Sequence, residues 1–211
     1  MAEPGSDDPT RWFDELYVAA EAGEAVVPWD RGSPRLLLVQ WAEEQRLEGR
    51  GRRALVVGCA YGDDAEFVAQ LGFGTVAFDV APTAIRHARE RFPTSRVEYV
   101  VADLLDPPPE WQDAFDLVVE SHNVQALPDS VRPRAIANVT STVAPGGTLL
   151  VLAAARDDDA GPVDGPPWPL VRAEVESFTT DELRPVTIEA MPDPADPETV
   201  RWRAEFRRMQ A

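Results

Sequence analysis

Ala54-Leu55-Val56-Val57-Gly58-Cys59-Ala60-Tyr61-Gly62-Asp63-Asp64 is the stretch whose reading decides the fold. Four apolar residues, two of them β-branched, run into a turn of small residues. Ala65-Glu66-Phe67-Val68-Ala69-Gln70-Leu71 follows, with Phe67, Val68 and Leu71 at helical spacing. That order predicts a buried parallel strand, a tight loop and a helix. Gly58 and Gly62 allow backbone to approach a ligand where a Cβ would collide. A second apolar strand is predicted at 75–80, with Asp79 near its end. Asp79 stands 21 residues after Gly58, close to the roughly 20 at which the carboxylate of a nucleotide-binding βαβ unit reaches ribose hydroxyls.

A dinucleotide fingerprint would read Gly-x-Gly-x-x-Gly, with pyrophosphate on the helix N-terminus. Here Ala60 takes the second glycine place and Asp63 the third, with Asp64 beside it. Two carboxylates at that helix start already complement its dipole and repel a diphosphate. The same repulsion disfavours a nicotinamide-linked reductase. A cofactor with an adenosyl group, no phosphate and cationic centres fits better, and S-adenosylmethionine (SAM) is such a molecule.

With these residues in view, the segment resembles motif I of the class I SAM-dependent methyltransferases, and the likeness runs from about Pro28 to Phe206. The resemblance implies that the loop of Gly58, Ala60 and Gly62 passes under the methionine part of SAM. It also implies that Asp79, with Val80 beside it, holds the ribose. Ala60 replaces the family's middle glycine, and Val56 stands where many members carry an acid.

The bulk composition narrows the partners. A chain of 211 residues with a normal apolar fraction and alternating helix and strand patterns reads as one globular α/β domain. Its net charge of −17 opposes nucleic-acid binding, which depends on basic side chains displacing phosphate counterions. Every basic residue is Arg, a bias that points to a bacterium with a GC-rich genome. No apolar run approaches the ~20 residues of a membrane span, and the acidic first ten residues do not read as a signal peptide. The single Cys59 excludes an internal disulfide framework and a cysteine-only zinc site; it reads as a small buried loop residue in a cytoplasmic protein.

Residues 1–10 read as a disordered tail, and 11–211 as a single domain whose segment 11–34 forms a lid. Trp12, Phe13, Leu16, Tyr17 and Ala20 share a face of a helix predicted over 12–20, with Asp7 or Thr10 as its cap. Pro28-Trp29-Asp30 followed by Gly32-Ser33-Pro34 resembles the thiopurine, thiol and halide methyltransferase-like branch, where this segment closes over SAM. Trp29 is then either a cofactor contact, its ring against the sulfonium through cation–π attraction, or a core anchor for the loop. A helix follows at 34–47 and another at 82–92, which leaves His87 on a solvated face. The third strand, 97–101, ends in Ala102-Asp103-Leu104, which resembles the family's adenine site. There the acid accepts from the exocyclic amine and the next amide meets the ring.

Asp106-Pro107-Pro108-Pro109-Glu110-Trp111 and Gly165-Pro166-Pro167-Trp168 read as loops. Neither follows the fourth strand directly, where the base-amino methyltransferase motif belongs. Phe115 to Glu120 is that fourth strand, and Ser121-His122-Asn123 follows at its C-terminal end, where open α/β sheets keep their active sites. A helix at 130–143 is stopped by Pro145-Gly146-Gly147. Strands are predicted at 148–154, 185–190 and 202–207, a short helix at 170–178, and a loop at 192–197.

The resulting expectation is an α/β, Rossmann-like, seven-stranded, mostly parallel sheet with an antiparallel last strand. Its activity would be in-line methyl transfer from SAM to a thiol, hydroxyl or amine of a small molecule, leaving S-adenosylhomocysteine and using no metal. The enzyme chiefly aligns the nucleophile and excludes water. Hydroxyl and amine acceptors also need a positioned base. His122 is the first candidate, with a structural or substrate-orienting role open to it. Glu120 could be the base instead, or could meet the amino group of SAM. Glu120-Ser121 stands where the thiopurine and thiol branch often carries Asp-Arg. The alternative is a non-catalytic SAM-binding regulatory or interaction protein on the same fold. No nucleic-acid or membrane partner is expected, and the oligomeric state is expected to be a monomer or weak homodimer.

Overall fold

The computed structural model describes residues 9–159, 161 and 163–210. In chain order these form α1 (Arg11–Glu21), α2 (Leu36–Glu44), β1 (Arg53–Val57), α3 (Asp63–Gln70), β2 (Gly74–Asp79), α4 (Pro82–Arg91) and β3 (Glu98–Val101). They continue with β4 (Phe115–Ser121), α5 (Arg132–Ser141), β5 (Val143–Ala154), α6 (Arg172–Glu176), β6 (Leu183–Asp193) and β7 (Asp196–Arg208). The sheet runs β3-β2-β1-β4-β5-β7-β6. β1 to β5 are parallel, and β7 is antiparallel to both β5 and β6. Strand order reverses between β1 and β4, so the crevice of the sheet opens at the tips of those two strands.

The uninterrupted apolar run of β1 has a direct cause. Ala54 and Val56 pack into the layer that includes α2 and α3, while Leu55 and Val57 pack into the opposite layer with α5. A strand covered on both faces has no use for polar alternation. The second layer contains Trp111, whose ring lies 5.0 Å from Phe78. Trp111 therefore anchors the end of the proline-rich stretch in the core.

The structure alters several expected boundaries. The helix expected at 34–47 occupies Leu36–Glu44, because Pro34 and Arg35 remain extended. β5 begins at Val143, and Pro145-Gly146-Gly147 is absorbed in a register shift against β4. β6 and β7 run far beyond the expected 185–190 and 202–207, and the loop expected at 192–197 is the tight turn of their hairpin, with Asp193 paired to Asp196. Prolines are tolerated there because β6 is an edge strand with register shifts at Pro185 and Pro192. On β7 Trp202, Ala204 and Phe206 alternate with Arg203, Glu205 and Arg207, yet Arg203 and Glu205 are buried as well and only Arg207 is exposed. Glu205 accepts a 2.9 Å hydrogen bond from Trp41 Nε1, and Arg203 pairs with Glu44 and Glu189. β7 is interior, and α2 covers the face that carries Arg203 and Glu205.

Residues 1–8 of the expected tail lie outside the described residues. Pro9 and Thr10 form a turn, and Thr10 is buried at the N-cap position of α1. α1 docks on α4: Asp14 Oδ1 accepts the Thr83 N–H at 3.0 Å, and Glu21 pairs with Arg86 at 2.7 Å. His87 is half-buried under Tyr61, with ring centroids 5.2 Å apart, where the sequence suggested solvent.

Phe206 of β7 is fully buried, its ring centroid 6.0 Å from that of Phe178. Phe206→Ala is expected to cost roughly 3–5 kcal/mol. The urea midpoint should fall with the slope unchanged, and a midpoint near that of the wild type would refute this packing.

Candidate active site

The tips of four adjacent parallel strands define the site. Register pairs Val57 with Glu120 and Asp79 with Val101, so Gly58, Val80, Asp103 and His122 follow strand ends that lie side by side. The loop after β1 turns through three left-handed residues, Gly58 (φ 54°), Ala60 (φ 48°) and Gly62 (φ 96°). At Gly58 and Gly62 a Cβ would strike protein. It would lie 1.8 Å from Asn123 Oδ1 at Gly58 and 2.3 Å from the Tyr99 hydroxyl at Gly62. Close approach is thus required first by the chain's own packing. Asn123 Nδ2 donates to the carbonyls of Val57 (2.7 Å) and Ser121 (3.0 Å), which ties the β1 loop to β4. Tyr99 donates to Glu66 Oε1 at 2.7 Å, tying β3 to α3.

Asp79 fixes the loop conformation. Its Oδ2 accepts the Ala60 N–H and its Oδ1 the Ala81 N–H, each at 3.0 Å. Burial raises its pKa to about 6, against the opposing effect of those backbone donors. Each oxygen keeps lone-pair capacity for a further donor such as a ribose hydroxyl. Asp103 Oδ1 accepts the Leu105 N–H at 2.8 Å inside its own turn, and the Leu104 carbonyl accepts from Asn138.

Glu120 is 1% exposed. Its Oε1 accepts the N–H groups of Asn123 (2.7 Å) and Val124 (2.9 Å), while Oε2 is buried without a hydrogen-bond partner among the described residues. Burial lifts its pKa to about 7. His122 has φ 68° and donates its backbone N–H to Leu152. Its Nδ1 lies 3.1 Å from Ser121 Oγ, and its buried Nε2 has no hydrogen-bond partner among the described residues. Burial pushes its pKa well down, and Arg35, Arg201 and Arg31 push it further. The imidazole is therefore neutral.

Trp29 donates from Nε1 to the Tyr17 hydroxyl at 2.7 Å and meets Trp12, Phe13 and Tyr17 edge to face. It joins the same apolar cluster as Ala60 and Ala81, so α1 and the Trp29 loop pack beside the β1 loop. Cys59 is buried, and burial, with the charge of Asp79 next, pushes its thiol up, as suits an inert core residue. Asp63 pairs with Arg91 at 3.3 Å, and Asp64 Oδ1 accepts the Arg35 N–H at 2.7 Å. The sequence reading missed Asn123, although its place just past β4 was a signal. It also missed Arg31, Arg35 and Arg201, for which the sequence offered none.

A family model described as a methyltransferase domain matches residues 54–147. The chain is 30% identical over 173 residues to "Probable thiol methyltransferase 2" of Arabidopsis thaliana, spanning 81% of this chain and 72% of that one. The chain belongs to the class I SAM-dependent methyltransferases. It is also 27% identical over 212 residues to the 2-heptyl-1-hydroxyquinolin-4(1H)-one methyltransferase of Mycobacteroides abscessus, covering 94% and 91% of the two chains. The crystal structure of N-methyltransferase NodS from Bradyrhizobium japonicum WM9 superposes with a TM-score of 0.61 at 25% identity, over 83% of this chain and 94% of that one.

SAM fits what the strand tips of this methyltransferase offer. A buried Glu120 oxygen without a hydrogen-bond partner among the described residues suits a cationic ligand group, and a second buried carboxylate, Asp79 on the far side of β1, suits a diol. Among the described residues no three His, Cys, Asp or Glu side chains gather to hold a metal ion. Nor is any described helix long and apolar enough to cross a membrane.

Raised carboxyl pKa values make the ligand-free protein pH-sensitive in a defined direction. Glu120 binds its proton more tightly folded than unfolded, so the stability it contributes is full below about 4.5 and is lost as pH rises through about 7. Relative to Glu120→Gln, the wild type should gain on the order of 3 kcal/mol as pH falls across that window. Urea denaturation of both proteins at several pH values tests this, and a pH-independent difference would contradict it.

Proposed function

We propose that this methyltransferase binds SAM across the tips of β1, β2 and β3 and transfers its methyl group to a small-molecule acceptor lying beyond β4. The observation that carries the reading is the buried Oε2 of Glu120, without a hydrogen-bond partner among the described residues, on the strand beside the left-handed β1 loop that Asp79 holds from its other side. When bound, SAM supplies an electrophilic methyl carbon on a sulfonium. Asp79 accepts from the ribose hydroxyls, with Val80 alongside, while Asp103 and the Leu104 amide receive the adenine. Gly58, Ala60 and Gly62 carry the methionine end, and Glu120 accepts from its ammonium. Trp29 closes the crevice as part of a lid over 11–34, in a single domain that spans 11–211. The rest of the work is alignment and exclusion of water.

His122 is the proton acceptor for hydroxyl or amine substrates. With Nδ1–H directed at Ser121 Oγ, Nε2 is left as the free acceptor. A thiol, already partly ionised near neutral pH, has less need of it. The relatives named for thiol and hydroxyquinolone methylation support a small acceptor. The acidic surface, the lack of lysine and the single cysteine support a monomeric or weakly dimeric bacterial cytoplasmic enzyme.

Calorimetry with SAM and S-adenosylhomocysteine tests the cofactor assignment. Asp79→Asn should weaken both by roughly tenfold or more, the worth of charge-assisted hydrogen bonds; unchanged affinity would remove Asp79 from the site. His122→Asn should lower kcat for phenol or amine acceptors by about a hundredfold while thiol turnover stays within a few-fold. Equal losses for all acceptors would assign His122 to packing.

A further inference from the structure

We propose that the acceptor is a small carboxylic acid, held as its anion by Arg31, Arg35 and Arg201 beside the free Nε2 of His122. The proposal rests on the methyltransferase reading of the strand tips and names the substrate class of that site.

Topology brings the three guanidiniums together from distant parts of the chain. Arg31 and Arg35 lie in the loop before α2, Arg35 at its N-cap. Arg201 of β7 pairs with Ala154 of β5, two residues beyond Leu152, whose carbonyl accepts the His122 N–H. Arg201 Nε lies 3.0 Å from Asp193 Oδ2, and Arg31 Nη2 lies 3.9 Å from the same oxygen, so one carboxylate is shared by two cations. The Arg35 N–H reaches Asp64 Oδ1 at 2.7 Å, and the charges of Arg31, Arg201, Asp64 and Asp193 all act on the Arg35 guanidinium. All three guanidiniums are also felt at the His122 ring.

The balance of charge is uneven. Asp193 and Asp64 are the acids that face Arg35, and burial holds Asp64 toward its protonated form. Arg31 and Arg201 share the single carboxylate of Asp193. The half-buried Arg35 shows the deficit most clearly. Its backbone N–H reaches Asp64, but its guanidinium makes no hydrogen bond or ion pair with any described residue. Other well-buried arginines of this chain are neutralised: Arg132 by Asp129 and Glu174, Arg203 by Glu44 and Glu189, Arg208 by Asp113 and Glu182. Withdrawing a guanidinium from water without a counter-charge is costly, and in a chain of net charge −17 carboxylates are plentiful. An excess of positive charge next to the site is what an anionic ligand would complete. The planar forks of arginine match a carboxylate.

The chain has only two histidines, His87 and His122, so the His122 ring can be watched directly. Protein carrying ring-15N histidine and saturated with S-adenosylhomocysteine is titrated with benzoate and, separately, benzamide. Benzoate should shift the His122 resonance saturably and raise its pKa, with benzamide weaker by roughly tenfold or more. Arg35→Gln should abolish the benzoate shift. Arg31→Gln, at a more exposed position and so safer for folding, should weaken it several-fold, with S-adenosylhomocysteine affinity retained in both. Equal shifts from benzamide and benzoate, no shift from either, or benzoate affinity unchanged in the variants would overturn the proposal. Failure of S-adenosylhomocysteine to bind the wild type would count against the methyltransferase reading instead, so the two failures are distinguishable.

Discussion

The buried carboxylate of Asp79, receiving one N–H from the β1 loop and one from the start of α4, is the interaction on which the site depends. It joins two strand ends whose loops would otherwise be independent, and it holds Ala60 at φ 48°. A left-handed alanine costs roughly 1–2 kcal/mol, comparable to what a charge-assisted hydrogen bond returns. The loop therefore keeps its shape without the usual middle glycine. Asn123 acts from the other side, filling the space over Gly58 and binding β4 to the same loop. Replacing Gly58 would displace Asn123 before it met any ligand. Glycine here serves the internal packing of the crevice as much as its contents.

Legibility followed burial. β1, β2, β4 and the later part of β5 were readable because a strand covered on both faces is an unbroken apolar run, and little else in a soluble chain looks like that. The hairpin of β6 and β7 was underread because Pro185, Pro192, Pro194 and Pro197 carry the signature of loop, although an edge strand with bulges accommodates them. The alternation on β7 announced a strand but not the burial of Glu205 and Arg203, since one strand cannot announce that a helix some 160 residues earlier will cover it. Among site residues, Asp79, Glu120 and His122 were legible from their places at strand ends, where topology alone determines what faces the crevice. Trp29 was legible as an aromatic near the cofactor loop. Its bond to Tyr17 was not, because that contact depends on how α1 docks. Arg35 and Arg201 meet only through the folded sheet, and no local pattern in either segment singles them out.

The two carboxylates of the crevice and the nearby guanidiniums divide it by charge. Asp79 ends β2 and Glu120 lies near the end of β4, while Arg35 sits beside Asp64 at the start of α3 and Arg201 lies on β7. The excess negative charge of the chain is spread over its surface and screened within about 8–10 Å at physiological salt. A half-buried guanidinium a few ångströms away acts through a medium of much lower effective dielectric, where a single pair at 4 Å is worth about 4 kcal/mol against about 1 in bulk water. A small acid at the mouth of the crevice therefore responds to the local arginines. A polyanion, too large to leave the surrounding acidic surface behind, responds to the whole. On the proposed reading, size decides which anions this charge distribution would favour.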